Sequence, residues 1–246
     1  MTLDHLSLLA RFQGGFLAAV PDADPDARVP ACGEWTVREL VEHLAGVHHW
    51  AAGQARAERG VPLGDGPFDL APHYAAQAAT LRRALAELDP DATGRVLAHP
   101  APMGPGPVRF WHRRQTHETL VHLHDLLAAA AGAGALGLVE AEPEVWADTI
   151  DEVVTMFQPR QVGLGRMAPL RHPVALVATD VVGAPAWVLG APGERADEVA
   201  PGVVVSGTAE GLALMLWRRL TPAEAELTIE GDPARLEAAL AQPIVP

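Results

Sequence analysis

The stretch RRQTHETLVHLHDLL, residues 113–127, decides how the first half of this chain is read. A helical HExxH run sets two histidines four residues apart, with a glutamate between them as general base. Here the run is HETLVH, one residue longer. At about 100° per residue, His117 and His122 diverge by about 140°, whereas Glu118 and His122 differ by only about 40°. Glu118 and His122 are therefore the pair that can share a metal ion. They fall opposite Leu120, Leu123 and Leu127, so a bundle can enclose this helix only if its polar side meets partners.

A third candidate lies upstream. The run TVRELVEHLAGV opens with a capping box, Thr36 with Glu39, and continues with the apolar stripe Val37, Leu40, Val41, Leu44 and Val47. His43 falls within that stripe and is expected to face the core. Two histidines and one glutamate form a catalytic zinc set that leaves a position for water or substrate. His48 and His49 are the weaker alternatives to His43. Asp125, three residues after His122, either receives the other ring N–H of that histidine or is a solvated residue near a helix end. His117 and His124 point away from the Glu118 face and are read as surface or packing residues. Cys32 lacks an activating neighbour in the sequence and is read as a small, semi-buried side chain.

The bulk properties narrow the class. With 246 residues, 49% of them hydrophobic, two domains of ordinary size are expected. A net charge of −13, from 18 basic and 31 acidic residues, opposes binding to nucleic acid or an anionic membrane. The longest uncharged run, LLAAAAGAGALGLV at residues 126–139, is too short to span a bilayer. The opening residues MTLDHLSLLARF lack a basic leader, and one cysteine cannot form an internal disulfide. A cytoplasmic location is expected.

Helical periodicity marks four segments before residue 132: the stripe Leu6, Leu9, Phe12 and Phe16, the helix after Thr36, and stretches near 72–88 and 108–131. The linker DPDATGRVLAHPAPMGPGP joins the last two and is read as a loop. A fifth helix near 143–157 is expected to close this half, with proline in its first turn. Beyond residue 165 the pattern changes. HPVALVATD, PAWVLG, GVVVSG and ELTIEG read as strands, the first two joined through VVGA, and helices near 207–219 and 232–241 follow the last two.

The runs CGEWTVRELVEHLAGVHHW and RRQTHETLVHLHDLL together resemble the mycothiol-dependent maleylpyruvate isomerase family, within the DinB-like metal-binding four-helix bundles. VVVSGTAEGLALMLWRRL and LTIEGDPARLEAALA are similar to that family's second domain, which resembles a sterol-carrier fold. The resemblance implies an α+β chain: a DinB-like all-α four-helix bundle over residues 1–160, then a small α+β sterol-carrier-like domain over 165–246. It implies zinc or another divalent metal on His43, Glu118 and His122, with mycothiol as thiol cofactor and a small electrophilic molecule as substrate. It also implies an arginine from the second domain, for which Arg218 (cofactor-binding) and Arg219 (catalytic) are the candidates. The activity implied is isomerisation or S-transfer, by a monomer or homodimer. Abundant Ala, Gly, Pro and Arg with no lysine suits a GC-rich actinobacterial gene. The rival expectations are a non-catalytic ligand-binding protein stabilised by metal, and a zinc hydrolase that needs no thiol.

Overall fold

Thr36 opens the helix that carries His43, and its capping box forms as the sequence predicts. The Glu39 amide donates to Thr36 Oγ1 at 3.3 Å, and the Thr36 amide donates to the Glu39 carboxylate at 2.8 Å. Two of the amides left without partners at a helix start are thereby satisfied. The computed structural model describes residues 3–58, 61–98, 100–183, 186–191, 193–194 and 201–246. These form two compact units, one built from residues 1–98 and 103–134, the other from 99–102 and 135–246.

The first unit is a bundle of four helices: α1 (His5–Ala19), α2 (Val37–Ala55), α3 (Leu70–Glu87) and α4 (Arg109–Ala131). α2 packs chiefly against α3, and α1 against α4. Leu9, Phe12 and Phe16 of α1, Leu40, Val41 and Leu44 of α2, Tyr74, Leu81 and Leu85 of α3, and Trp111 and Leu120 of α4 are fully buried. Burial of such side chains contributes roughly 1.5–3 kcal/mol each before conformational entropy is charged against it. Gly132, at φ +82°, ends α4 in the left-handed conformation that glycine adopts without strain.

Fifteen of the 23 residues of α4 are buried, and nine of those fifteen are polar. The helix is therefore enclosed on both its leucine side and its histidine side, which obliges its polar groups to find partners within the protein. His117 and His124, read as surface or packing residues, both lie inside.

Between α3 and α4 the chain forms a hairpin, β1 (Thr93–Leu97) with β2 (Met103–Pro107), in antiparallel register from Thr93 opposite Pro107 to Leu97 opposite Met103. The sequence reading has a loop here, because MGPGP lacks every residue type that favours strands. The prolines are tolerated because the sheet has only two strands, and each strand keeps an edge that needs no donor. Gly94 is required by close approach, since a Cβ there would lie 2.9 Å from the Ala55 carbonyl oxygen. The indole N–H of Trp111 donates to the Arg95 carbonyl at 2.8 Å, tying the hairpin to the first turn of α4.

In the second unit, α5 (Pro143–Glu152) continues through a π-helical turn (Val153–Phe157) into α6 (Gln158–Gly163). A four-stranded sheet follows, in the order β4 (Trp187–Leu189), β3 (Val174–Ala178), β5 (Val203–Gly207), β6 (Thr228–Gly231). β3 and β5 run parallel and the outer pairs antiparallel. α7 (Ala209–Leu216) links β5 to β6, and α8 (Pro233–Leu240) follows β6. All four expected strands and both late helices are present, although Ala184 of the VVGA connection lies outside the described residues. The helix at 143–152, which the sequence reading groups with the bundle, packs against α7 within this unit. The change in residue pattern near 165 falls between the end of α6 at Gly163 and the start of β3 at Val174. Among the described residues, no helix is long and apolar enough to cross a membrane.

The capping box gives a direct test. Thr36→Ala is expected to lower stability by about 1 kcal/mol, read as a lower urea midpoint with unchanged slope.

Candidate metal centre

Periodicity brings Glu118 and His122 onto adjacent turns of α4, and the packing of α2 brings His43 to them. Oε1 of Glu118 lies 3.4 Å from Nε2 of His122 and 3.7 Å from Nε2 of His43. The two imidazoles meet edge to face, with ring centroids 5.2 Å apart. Each of the three residues offers a ligand atom within 4.8 Å of the others. Nitrogen and oxygen ligands about 2.0–2.1 Å from a tetrahedral ion stand roughly 3.3 Å apart. The side chains thus converge at nearly the spacing that a small dication imposes, and the set fits such an ion.

The surroundings fix how these three side chains are presented. Asp125 is completely buried and accepts the Nδ1 proton of His122 at 2.8 Å. Of the two readings of Asp125, the buried partner of His122 is the one realised. That bond leaves the Nε2 lone pair of His122 directed at the site. The guanidinium of Arg114, one turn before Glu118, contacts its Oε2. On the α2 side, Trp35 lies against His43 with centroids 4.7 Å apart. Cys32, in the same loop, is half-buried, with its sulfur 3.5 Å from the Asp125 carboxylate.

His43 is the open member of the set. Its side chain is 36% exposed, against 15% for Glu118 and 10% for His122. It stands at the margin of the bundle instead of in the core, which gives the centre a route for ligands. Burial, followed by the neighbouring His122, holds the His43 pKa down at about 4, with Asp125 acting in the opposite sense. A neutral imidazole is the form that binds a metal.

The alternatives to His43 are otherwise engaged. His48 is fully buried and bonded through Nδ1 to Gln115 Oε1 at 2.9 Å. Burial pushes its pKa down to about 4, against the opposing effect of the glutamine bond. Nε2 of His49 meets the Val61 carbonyl at 2.6 Å. Arg218 and Arg219 belong to the second unit. Arg218 is exposed and donates to the carbonyls of Leu240 and Gln242, whereas half-buried Arg219 donates to the Trp217 carbonyl at 2.7 Å. Arg114 was missed in the sequence, although its spacing of four from Glu118 is the available signal.

A helical bundle bearing a His/Glu/His set, followed by a sheet-containing unit, defines a candidate metal-binding protein of mixed α and β structure. Residues 6–127 match the model of the mycothiol maleylpyruvate isomerase N-terminal domain, and residues 144–238 match that of the MDMPI C-terminal domain. The chain belongs to the mycothiol-dependent maleylpyruvate isomerase family. Two crystal structures of a mycothiol-dependent maleylpyruvate isomerase are similar to it, one of them a histidine-to-alanine variant. The variant superposes with a TM-score of 0.62 at 15% identity, and the other with 0.59 at 17%; each match covers 86% of this chain and 87% of the other. Those likenesses establish a shared fold. No curated protein matches the chain.

The buried His48 sets a pH response that can be measured apart from His43, Glu118 and His122. The unfolded chain protonates His48 near its ordinary value of 6.5, whereas the folded protein resists protonation down to about 4. Its share of stability is complete above pH 6.5 and is lost as pH falls toward 4, at about 1.4 kcal/mol per unit. His48→Asn is expected to flatten the fall in urea stability between pH 6 and 4.5 relative to the parent. Parallel curves would show that His48 is not the responsible group.

Proposed function

We propose that this protein is an enzyme that uses a divalent metal, zinc by the chemistry of its donors, to activate mycothiol for reaction with a small electrophilic substrate. The observation that carries the reading is the convergence of one carboxylate oxygen on two imidazole nitrogens at 3.4 and 3.7 Å. A bound dication would stabilise the cofactor's sulfur as thiolate near neutral pH, because it offsets the charge created by deprotonation. His43, Glu118 and His122 hold it, and Asp125 keeps the His122 ring in the tautomer that can ligate. Three protein ligands leave a coordination position free, and the partial exposure of His43 favours access to it. Cis/trans isomerisation of an activated double bond, as in maleylpyruvate, returns the thiol, whereas S-transfer keeps it in the product.

The family also implies a cation from the second unit. We assign Arg219 to the substrate's charge. Arg218, the candidate for the cofactor's polar groups, donates to carbonyls near the end of α8. Arg219→Ala is therefore expected to lower kcat/KM with metal content unchanged, and Arg218→Ala to lower stability more than catalysis. Lost metal in Arg219→Ala would contradict the assignment.

Purified protein is expected to hold about one divalent metal per chain. Elemental analysis should find it lost in Glu118→Ala and His122→Ala, and retention in both would remove the centre. In a cobalt-loaded sample, mycothiol should produce a sulfur-to-metal charge-transfer band and release a proton. Cys32→Ser should leave that band intact. A band present without added thiol and absent in Cys32→Ser would make the sulfur internal, and activity indifferent to thiol would favour a zinc hydrolase.

A further inference from the structure

The two oxygens of Glu118 face different partners. Oε1 points to the imidazoles of His43 and His122, whereas Oε2 is held by the guanidinium of Arg114, four residues earlier on α4. Ion pairs at this spacing are common on helix surfaces, where solvent weakens them and they position nothing. This pair is not on the surface. Only 5% of the Arg114 side chain is exposed, and 15% of that of Glu118. A desolvated guanidinium fixes the plane and rotation of the carboxylate it meets.

We propose that Arg114 is a positioning residue of the metal centre, one that confines Glu118 to ligation through Oε1 and so keeps a coordination position open for the cofactor's sulfur. The inference rests on the three-ligand reading given above. A carboxylate free to rotate could offer both oxygens to a dication, and the second would compete for the place the thiol needs. The guanidinium also withdraws electron density from Glu118, which makes the carboxylate a weaker donor. Asp125 acts in the opposite sense on His122, since accepting the Nδ1 proton strengthens that ligand. One helix thus carries two partners behind the ligands, Arg114 before Glu118 and Asp125 after His122, with opposite effects on donor strength.

Charge separates this role from simple support of the fold. Removing a cation beside a dication site favours metal binding by Coulomb's law, so metal loss is not what the proposal predicts. In the cobalt-loaded full chain, Arg114→Gln should retain its metal while its visible bands weaken toward those of a higher coordination number. Its Kd for mycothiol, read from the charge-transfer band, should rise about ten-fold, the lower end of the range for changes behind a metal ligand. Arg114→Lys keeps a donor and a charge but not the planar fork, and should raise that Kd by about two- to five-fold.

Parent-like bands and mycothiol affinity in Arg114→Gln would overturn the proposal, as would cobalt loss from a variant whose far-ultraviolet circular dichroism is unchanged. If the glutamine variant does not fold, the lysine variant decides, and parental bands and affinity there would overturn it. Failure of the underlying reading is distinguishable, because Glu118→Ala and His122→Ala would then keep their cobalt before any Arg114 variant is compared.

Discussion

The arrangement of the bundle depends on a carboxylate held out of water. Glu118 sits in the middle of α4, a helix enclosed on its polar and apolar sides alike. An ionised carboxylate in such a place is strongly destabilising unless positive or donating groups replace its hydration. Arg114 supplies one such group from the same helix, and half-exposed His43 with buried His122 lies on the other face. Neither imidazole is an adequate counter-charge while neutral, and burial disfavours protonation of His43. A dication of the kind proposed would resolve that conflict with no change of protonation.

The loop before α2 contributes as much as the helix itself. Thr36 and Glu39 close the capping box, and this fixes where α2 begins and hence which turn presents His43. The residues just upstream then have little freedom: Trp35 is laid against the His43 ring, and Cys32 is brought to the Asp125 carboxylate. A local device worth about 1 kcal/mol in helix stability therefore also sets the geometry of a site whose other half lies some eighty residues away.

Periodicity carried the four bundle helices, and the alternation of β-branched and small residues carried the strands of the second unit, because each is a local property of consecutive residues. The pairing of Glu118 with His122 was legible for the same reason. What stayed hidden depends on contacts distant in sequence or on residues without a strong local preference. The β1–β2 hairpin is built on MGPGP, whose glycines and prolines argue for a loop until a partner strand and Trp111 are in place. The burial of Asp125 and its approach by Cys32 follow from a contact across 93 residues, which no spacing rule reaches. The grouping of the 143–152 helix with α7 is likewise a matter of packing, since its amphipathic pattern shows that it has a face to bury but not against what.

The choice among the α2 histidines shows how such an ambiguity is settled. His43 and His48 are five residues apart on one helix, and either could serve as a ligand by chemistry alone. Their fates follow from what α4 sets opposite each. Gln115, three residues before Glu118, meets His48 with a neutral acceptor, so that this imidazole is held in the core as an uncharged, hydrogen-bonded group. Glu118 and His122 meet His43 with a carboxylate and a second imidazole, at the edge where solvent and ligands enter. The two helices are thus joined by successive polar rungs, one neutral and closed, the other charged and open. A buried neutral rung beneath the candidate centre adds no further charge to it, which leaves the electrostatic balance there to Glu118, Arg114 and Asp125.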